Sequence, residues 1–310
     1  MPSAAFHGPP RVAIIGATAS GKSAVAMAAA EQLGDVELIS VDSMQVYRGM
    51  DIGTAKPTAE ERQRIRHHCI DLVDATEEFT VADFKHAVQR ALSEIHARGQ
   101  RALLVGGTGL YHRVVIDEFD LPRRFPDVRA ELERTDDTAA LHRRLVELDP
   151  EAAEKMEPEN RRRVVRALEV TLGSGRRFSS FGPGVDVYPD SPVVQIALRR
   201  PREVLGRRIA ERVHSMIESG LVEEVRALHD VGLSSTAAQG LGYKEIVSYL
   251  EGEIGQDEAI ETIITRTRQF AVRQERWFRR DPRVRWIDVE HDPVAEAAPA
   301  VTTALTTALA

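Results

Sequence analysis

The chain has 310 residues, 43% of them apolar and 29% charged, with a formal net charge of −7. That length supports a sizeable core in one large domain or two ordinary ones, and no apolar run approaches the ~20 residues of a membrane-spanning helix. The negative balance argues against a uniformly basic nucleic-acid surface, and a single cysteine, Cys69, rules out an internal disulfide or a Cys-based zinc site and reads as a small buried hydrophobe.

The leader Met1–Pro10 has neither the charged nor the apolar region of a signal peptide, so a cytoplasmic protein is expected. The apolar run Arg11–Ile15 reads as a first strand. Directly after it, Gly16-Ala17-Thr18-Ala19-Ser20-Gly21-Lys22-Ser23 is a complete G-x-x-x-x-G-K-[ST] phosphate loop, and the Ala-rich stretch Ala24–Leu33 supplies the helix that must follow. Glycines let consecutive backbone N–H groups turn inward on a polyphosphate. The helix N-terminus adds its positive dipole end, Lys22 a mobile charge, and the Ser23 hydroxyl a ligand for Mg²⁺. All eight residues are therefore expected to hold a diphosphate.

A second apolar run, Glu37–Val41, ends in Asp42-Ser43-Met44-Gln45. A carboxylate at that strand end can reach Mg²⁺ through water or take a proton from an attacking group, or it can simply cap its own turn. Thr80 with Asp83 three residues on starts an amphipathic helix carrying Val81, Phe84, Val88, Leu92 and Ile95 on one face, with Gly99 at its end. A third strand, Ala102–Val105, runs into Gly106-Gly107-Thr108-Gly109. No Asp follows it, which weakens an ATPase reading and leaves small-molecule kinases and other diphosphate chemistry.

From Phe119 to Asp190 strand signals vanish in favour of helical patterns such as Leu141/Leu145/Leu148 and Val164/Val165/Leu168/Leu172. Strands return at Val193–Leu198 and Val284–Val289, separated by helical sequence whose last stretch, Asp257–Arg280, turns Ile260, Ile263, Ile264, Phe270, Trp277 and Phe278 inward. The closing Ala/Thr-rich tail is expected to fray. Alternating strands and helices predict an α/β fold, a doubly wound parallel sheet with ligands at the carboxyl ends of the strands. The core is discontinuous, 1–118 with 191–310, and 119–190 forms a helical insertion.

Arginines cluster at Arg161, Arg162, Arg163 and Arg166 and again along the last long helix, where Arg266, Arg273 and Arg280 fall seven apart and share a face. Such clusters suit phosphate; they also suit a solvated helix face.

The longer strings are more specific. Gly16–Ser23, Ile39-Ser-Val-Asp-Ser-Met-Gln-Val-Tyr47, Met50-Asp-Ile-Gly-Thr-Ala-Lys-Pro57, Leu104-Val-Gly-Gly-Thr-Gly-Leu-Tyr111, Arg162–Glu169, Gly240-Leu-Gly-Tyr-Lys-Glu245 and Thr267-Arg-Gln-Phe-Ala-Val-Arg-Gln274 followed by Trp277-Phe278 resemble, in order and over nearly the whole chain, the tRNA dimethylallyltransferases of bacterial type. The resemblance implies a phosphate-loop NTPase-like core. It implies transfer of a dimethylallyl group from dimethylallyl diphosphate to N6 of the adenosine next to the anticodon, position 37, of tRNAs reading codons that start with U, with release of diphosphate. It further implies Asp42 as the base, Thr18 near the bridging oxygen, Lys22 and Arg212 on the diphosphate, and Mg²⁺ at Ser23. The tRNA anticodon stem-loop is then met by Asp42, Ser43, Met44 and Gln45, by Thr108, by Arg162, Arg163 and Arg166, and by Arg273. A monomer without a membrane partner is expected. Without the resemblance, a phosphate-loop kinase with Asp42 positioning a hydroxyl would remain, as would a nucleotide-switched RNA-binding module that leaves Asp42 unexplained.

Overall fold

A computed structural model describes residues 12–182 and 184–307; the N-terminal leader lies outside them. The strands are β1 (Val12–Gly16), β2 (Val36–Val41), β3 (Tyr47–Arg48), β4 (His67–His68), β5 (Val73–Asp74), β6 (Arg101–Gly106), β7 (Val194–Arg199) and β8 (Arg285–Asp288). The helices are α1 (Lys22–Leu33), α2 (Ala59–Arg64), α3 (Val81–Ala97), α4 (Gly109–Ile116), α5 (Pro126–Glu133), α6 (Thr138–Leu148), α7 (Pro150–Glu154), α8 (Arg161–Ser174), α9 (Arg202–Glu218), α10 (Leu221–Val231), α11 (Tyr243–Leu250), α12 (Gln256–Arg279) and α13 (Pro293–Thr307).

Six strands form one sheet in the order β4-β2-β6-β1-β7-β8, every pair parallel. Strands β1 and β2 are buried along their whole length, as strands covered by helices on both faces must be. All five apolar runs become strands of this sheet. The edge strand β4 carries no such signal: two histidines paired with Leu38 and Ile39 are too short for any periodicity to announce. The same holds for the two-residue pair of β3 with β5.

On one face, α3 buries Phe84, Ala87, Val88, Ala91, Leu92 and Ile95 behind a complete Thr80/Asp83 capping box. On the other, α1 buries Val25, Ala26, Ala29 and Ala30 against Ala297, Ala298, Val301 and Leu305 of α13. This corrects the expectation of a frayed tail. Its Ala and Thr content looks featureless, yet its apolar positions fall on one helical stripe, and the small side chains of α1 let the two helices approach closely.

The chain divides into two compact units, one ending at Asp117 and resuming at Asp190, the other spanning Glu118–Pro189. The second is all helical around Leu132, Leu141, Leu145, Ala152, Ala153, Met156, Val164, Val165 and Leu168. Its buried carboxylates are spent internally. Asp149 accepts from Ala152 N, Ser179 N and Ser179 Oγ, and Glu169 from Phe125 N.

The α13 contact can be checked. Leu305 is 2% exposed, so Leu305→Ala should lower unfolding free energy by about 2 kcal/mol in urea titration with an unchanged slope; a negligible loss would mean that the tail does not pack.

Candidate active site

The phosphate loop leaves the C-terminal end of β1 and returns as α1. Gly21, which opens the helix, has φ +104, and a Cβ there would lie 2.7 Å from Pro293 at the start of α13. Only glycine fits on both counts. Ala19 holds the left-handed region at φ 61, a strained conformation for a residue with a Cβ. Arginines outside the loop grip its carbonyls: Arg208 Nε donates to Ala19 O at 3.1 Å and the buried Arg200 Nε to Ser20 O at 3.1 Å. Lys22 folds back, its ammonium donating to Ala17 O at 2.6 Å. The Thr18 and Ser23 hydroxyls make no hydrogen bond, and the Ser20 hydroxyl is buried without a partner among the described residues.

Burial and the neighbouring Arg212 lower the Lys22 ammonium from 10.5 to about 7, against an opposing pull from Asp42. Arg212, on α9, is itself lowered by burial and held up by Asp42. The three charges therefore share one electrostatic neighbourhood, two cations facing one carboxylate. Residues from three elements far apart in sequence meet there.

Asp42 stands at the end of β2, half-buried. Its Oδ1 accepts from Met44 N at 2.8 Å and Gln45 N at 3.3 Å, so it does close its own turn. Its other oxygen makes no hydrogen bond among the described residues. One oxygen of the carboxylate thus holds the turn and the other is left open. Ser43 N donates to Thr108 Oγ1 at 3.2 Å, tying this turn to the Gly-Gly-Thr turn after β6.

The side chain of Gln45 is committed elsewhere. It accepts from Ser40 Oγ at 2.7 Å and donates to Thr54 O at 3.1 Å and Ala55 O at 3.3 Å, pinning the Asp51-Ile-Gly-Thr-Ala-Lys-Pro57 segment beside the site. That segment is held from below by Glu224, whose carboxylate accepts from Asp51 N, Ile52 N, Gly53 N and the Tyr243 hydroxyl. Burial, then the charge of Glu224, push the Tyr243 phenol up, so it stays a donor. Lys56 is buried and donates to Tyr47 O, Asp51 and Asp71. Burial alone would raise the Asp71 carboxyl, but hydrogen bonds from Lys56 and Arg62 bring it below the usual range. A cleft of about 770 Å³ opens beside this segment, lined by Lys56, Arg62, Arg212, Ser215, Met216 and Ser219 among others.

Sequence reasoning missed Gln274 as a site residue. It sits on α12, buried, accepting from Thr18 N at 2.8 Å and donating to Gly107 O at 2.9 Å. A polar residue on the otherwise apolar inward face of this helix was the available signal.

The arginines sort by their partners. Arg166 is engaged by Glu169 at 2.6 Å and Pro122 O at 2.7 Å, inside its own unit, which departs from the expectation of a surface cation. Arg162 and Arg163 are exposed, and their guanidinium groups have no hydrogen-bond or ion-pair partner among the described residues. On α12, Arg266 is paired with the buried Glu245, so the expected stripe of three is broken. Arg273 remains exposed, stacked at 5.8 Å over Phe270. Cys69 is buried and its thiol pushed up to about 12, by burial foremost, so it is inert.

A complete phosphate loop, no acidic residue after β6, and an open carboxylate across the rim define a phosphate-loop α/β protein suited to a diphosphate-bearing substrate. The IPP transferase family matches residues 45–281. The tRNA dimethylallyltransferase of Pseudarthrobacter chlorophenolicus is 47% identical over 298 residues, 94% of this chain and 97% of that relative; that of Thermobifida fusca is 46% identical, covering 93% and 92%. Among solved structures, the tRNA isopentenylpyrophosphate transferase of Bacillus halodurans is 41% identical with a TM-score of 0.71, over 97% of this chain and 98% of that one. A eukaryotic dimethylallyltransferase solved while acting on tRNA is 27% identical with a TM-score of 0.80, over 94% and 77%. The chain belongs to the IPP transferase family, that of the tRNA dimethylallyltransferases.

The lowered Lys22 has a measurable consequence. A bound anion favours the ammonium, so above pH about 7 binding must take up a proton, and pyrophosphate affinity should fall by up to about tenfold per pH unit, beyond any change in pyrophosphate itself. Calorimetric titrations of wild type and Lys22→Arg across this range isolate the effect, because the arginine stays charged and removes the extra slope.

Proposed function

We propose that the protein transfers the dimethylallyl group of dimethylallyl diphosphate to N6 of the adenosine next to the anticodon, position 37, of tRNAs reading codons that start with U. The observation that carries this is the pairing of a phosphate loop with the open oxygen of Asp42, Lys22 and Arg212 lying in the same electrostatic neighbourhood. The names of relatives sharing nearly half of the sequence support it.

Adenine N6 is a poor nucleophile, its lone pair delocalised into the ring. As N6 forms a bond to C1 of the dimethylallyl group, the C1–O bond breaks, its electron pair leaves with the diphosphate, and the N6 proton passes to the free oxygen of Asp42. The phosphate-loop N–H groups other than those of Thr18 and Ser20, which Gln274 and Ala17 O hold, together with Lys22 and Arg212 meet the charge growing on the leaving group, and the Thr18 hydroxyl is free to donate to the bridging oxygen. The exposed Ser23 hydroxyl, with no competing partner, suits Mg²⁺ held mainly by the diphosphate and water. No group of three or more His, Cys, Asp or Glu residues among the described residues could cage a metal. When bound, Mg²⁺ would add charge neutralisation at the leaving oxygens.

The target base must leave the anticodon-loop stack to reach Asp42, which costs less in a loop than in a duplex. Ser43, Met44 and Thr108 form the rim it would pass. Arg162, Arg163 and Arg273 are exposed cations available to tRNA phosphates, whereas Gln45 and Arg166 act by positioning the segments around them. No described helix is long and apolar enough to cross a membrane. A cytoplasmic monomer fits this reading.

Wild type should move label from dimethylallyl diphosphate into unmodified tRNA with Mg²⁺ and without ATP. A requirement for ATP would sink the proposal. Asp42→Asn should slow transfer by at least about 100-fold while still binding pyrophosphate. Arg273→Ala should weaken tRNA binding and make the slope of log affinity against log salt shallower by about 1; an unchanged slope would remove Arg273 from the tRNA contact.

A further inference from the structure

Two loops must hold opposite ends of the proposed reaction: the phosphate loop the leaving group, and the turn after β2 the base. Their strand ends are held through β6 by the sheet, Ile15 and Val41 both opposite Gly106, but among the described residues no backbone hydrogen bond joins one loop to the other beyond that point. Gln274, only 8% exposed, lies between the phosphate loop and the turn after β6, on a helix anchored by the buried Ile263, Ile264, Ala271 and Phe278. Its carboxamide accepts from Thr18 N in the phosphate loop and donates to Gly107 O in the turn after β6. The fit is close: a Cβ on Gly107 would stand 2.3 Å from Gln274 Nε2, so this approach needs glycine. From Gly107 the tie continues through the next residue. The Thr108 hydroxyl accepts from Ser43 N, Thr108 N donates to Val41 O at 3.4 Å, and Asp42 closes that same turn.

We propose that Gln274 is a positioning residue that sets the spacing between the diphosphate cradle and the Asp42 carboxylate. The inference rests on the reaction proposed above. Gln274 touches backbone of the phosphate loop and of the turn after β6 and none of the reacting atoms, so it acts on the Asp42 turn only through the Thr108–Ser43 link. The role demands one planar group with a donor and an acceptor at fixed separation. Carboxamides provide this, a carboxylate lacks the donor, and a thioether lacks both. Displacement at C1 needs N6 and the leaving oxygen on opposite sides of one carbon, a geometry in which an error of about 1 Å costs on the order of 100-fold.

The test compares Gln274→Met and Gln274→Glu with wild type. For Gln274→Met, single-turnover transfer should fall by at least about tenfold while the affinities for pyrophosphate and tRNA, measured separately, stay within about threefold. Gln274→Glu is more diagnostic. Ionised, it accepts from Thr18 N but faces Gly107 O without a proton; protonated, it regains a donor. The ratio of its transfer rate to that of wild type should therefore rise as pH falls from about 8 to about 6, the window opened by burial of the new carboxyl. Taking the ratio cancels pH effects common to both proteins, and the corresponding ratio for Gln274→Met should stay flat. Should Gln274→Met fail to fold, the Gln274→Glu ratio decides alone. Transfer by either variant at the wild-type rate, or a Gln274→Glu ratio that does not move with pH, overturns the inference. A wild type that transfers nothing overturns the reaction itself, a different result.

Discussion

Strand β1 is hydrogen-bonded on both sides in parallel register, Val12 opposite Leu103 of β6 and opposite Val194 of β7, and β6 is paired in parallel with β2 in turn. Parallel strands end on the same edge, so the loops after β1, β2 and β6 are delivered to one rim whatever their own sequences. The phosphate loop, Asp42 and the Gly-Gly-Thr turn are neighbours for that reason. Their mutual distances then depend on side chains, Gln274 and Thr108, that bond from one loop to the next.

Charge at this rim is arranged by burial as much as by contact. Lys22 and Arg212 are both lowered by their surroundings, and each is supported by the single carboxylate of Asp42. Two partly desolvated cations with one counter-charge leave a site short of negative charge, which in the proposed reaction an incoming diphosphate would correct. The same low dielectric would strengthen their hold on the leaving group there. Around them the protein spends its other ions on scaffolding. Glu224 gathers three successive backbone N–H groups of Asp51–Gly53, and Lys56 with Arg62 holds Asp71, so the segment beside the cleft is fixed by side chains that do no chemistry.

Arginine illustrates how little a count says. The cluster at 161–166 contains a residue whose guanidinium is locked to Glu169 and Pro122 O, one bonded to the carbonyls of Glu133 and Asp136, and two whose guanidinium groups project without partners among the described residues. The heptad-spaced set on α12 divides likewise, Arg266 going to Glu245 while Arg273 stays exposed. Arg200 and Arg208, outside either cluster, grip the phosphate loop from behind.

Local chemistry made much of this legible in the sequence. The phosphate loop is read from eight contiguous residues because its function is to present its own backbone. The five main strands follow from apolar runs bounded by turns, and α3 from a capping box whose partners are three residues apart. Longer strings carried the family resemblance. Other features depend on partners distant in the chain: the packing of α13 on α1, the pairing of His67–His68 with β2, the commitment of Gln45 and Arg166, and above all Gln274, whose partners lie 256 and 167 residues away. No local pattern encodes such a bond, because its energy exists only when the sheet and α12 have already brought the two loops to the same carboxamide. The sequence by itself determined the groups that can hold a diphosphate and take a proton, and tertiary structure alone decided which side chains were free to do so and how far apart they stand.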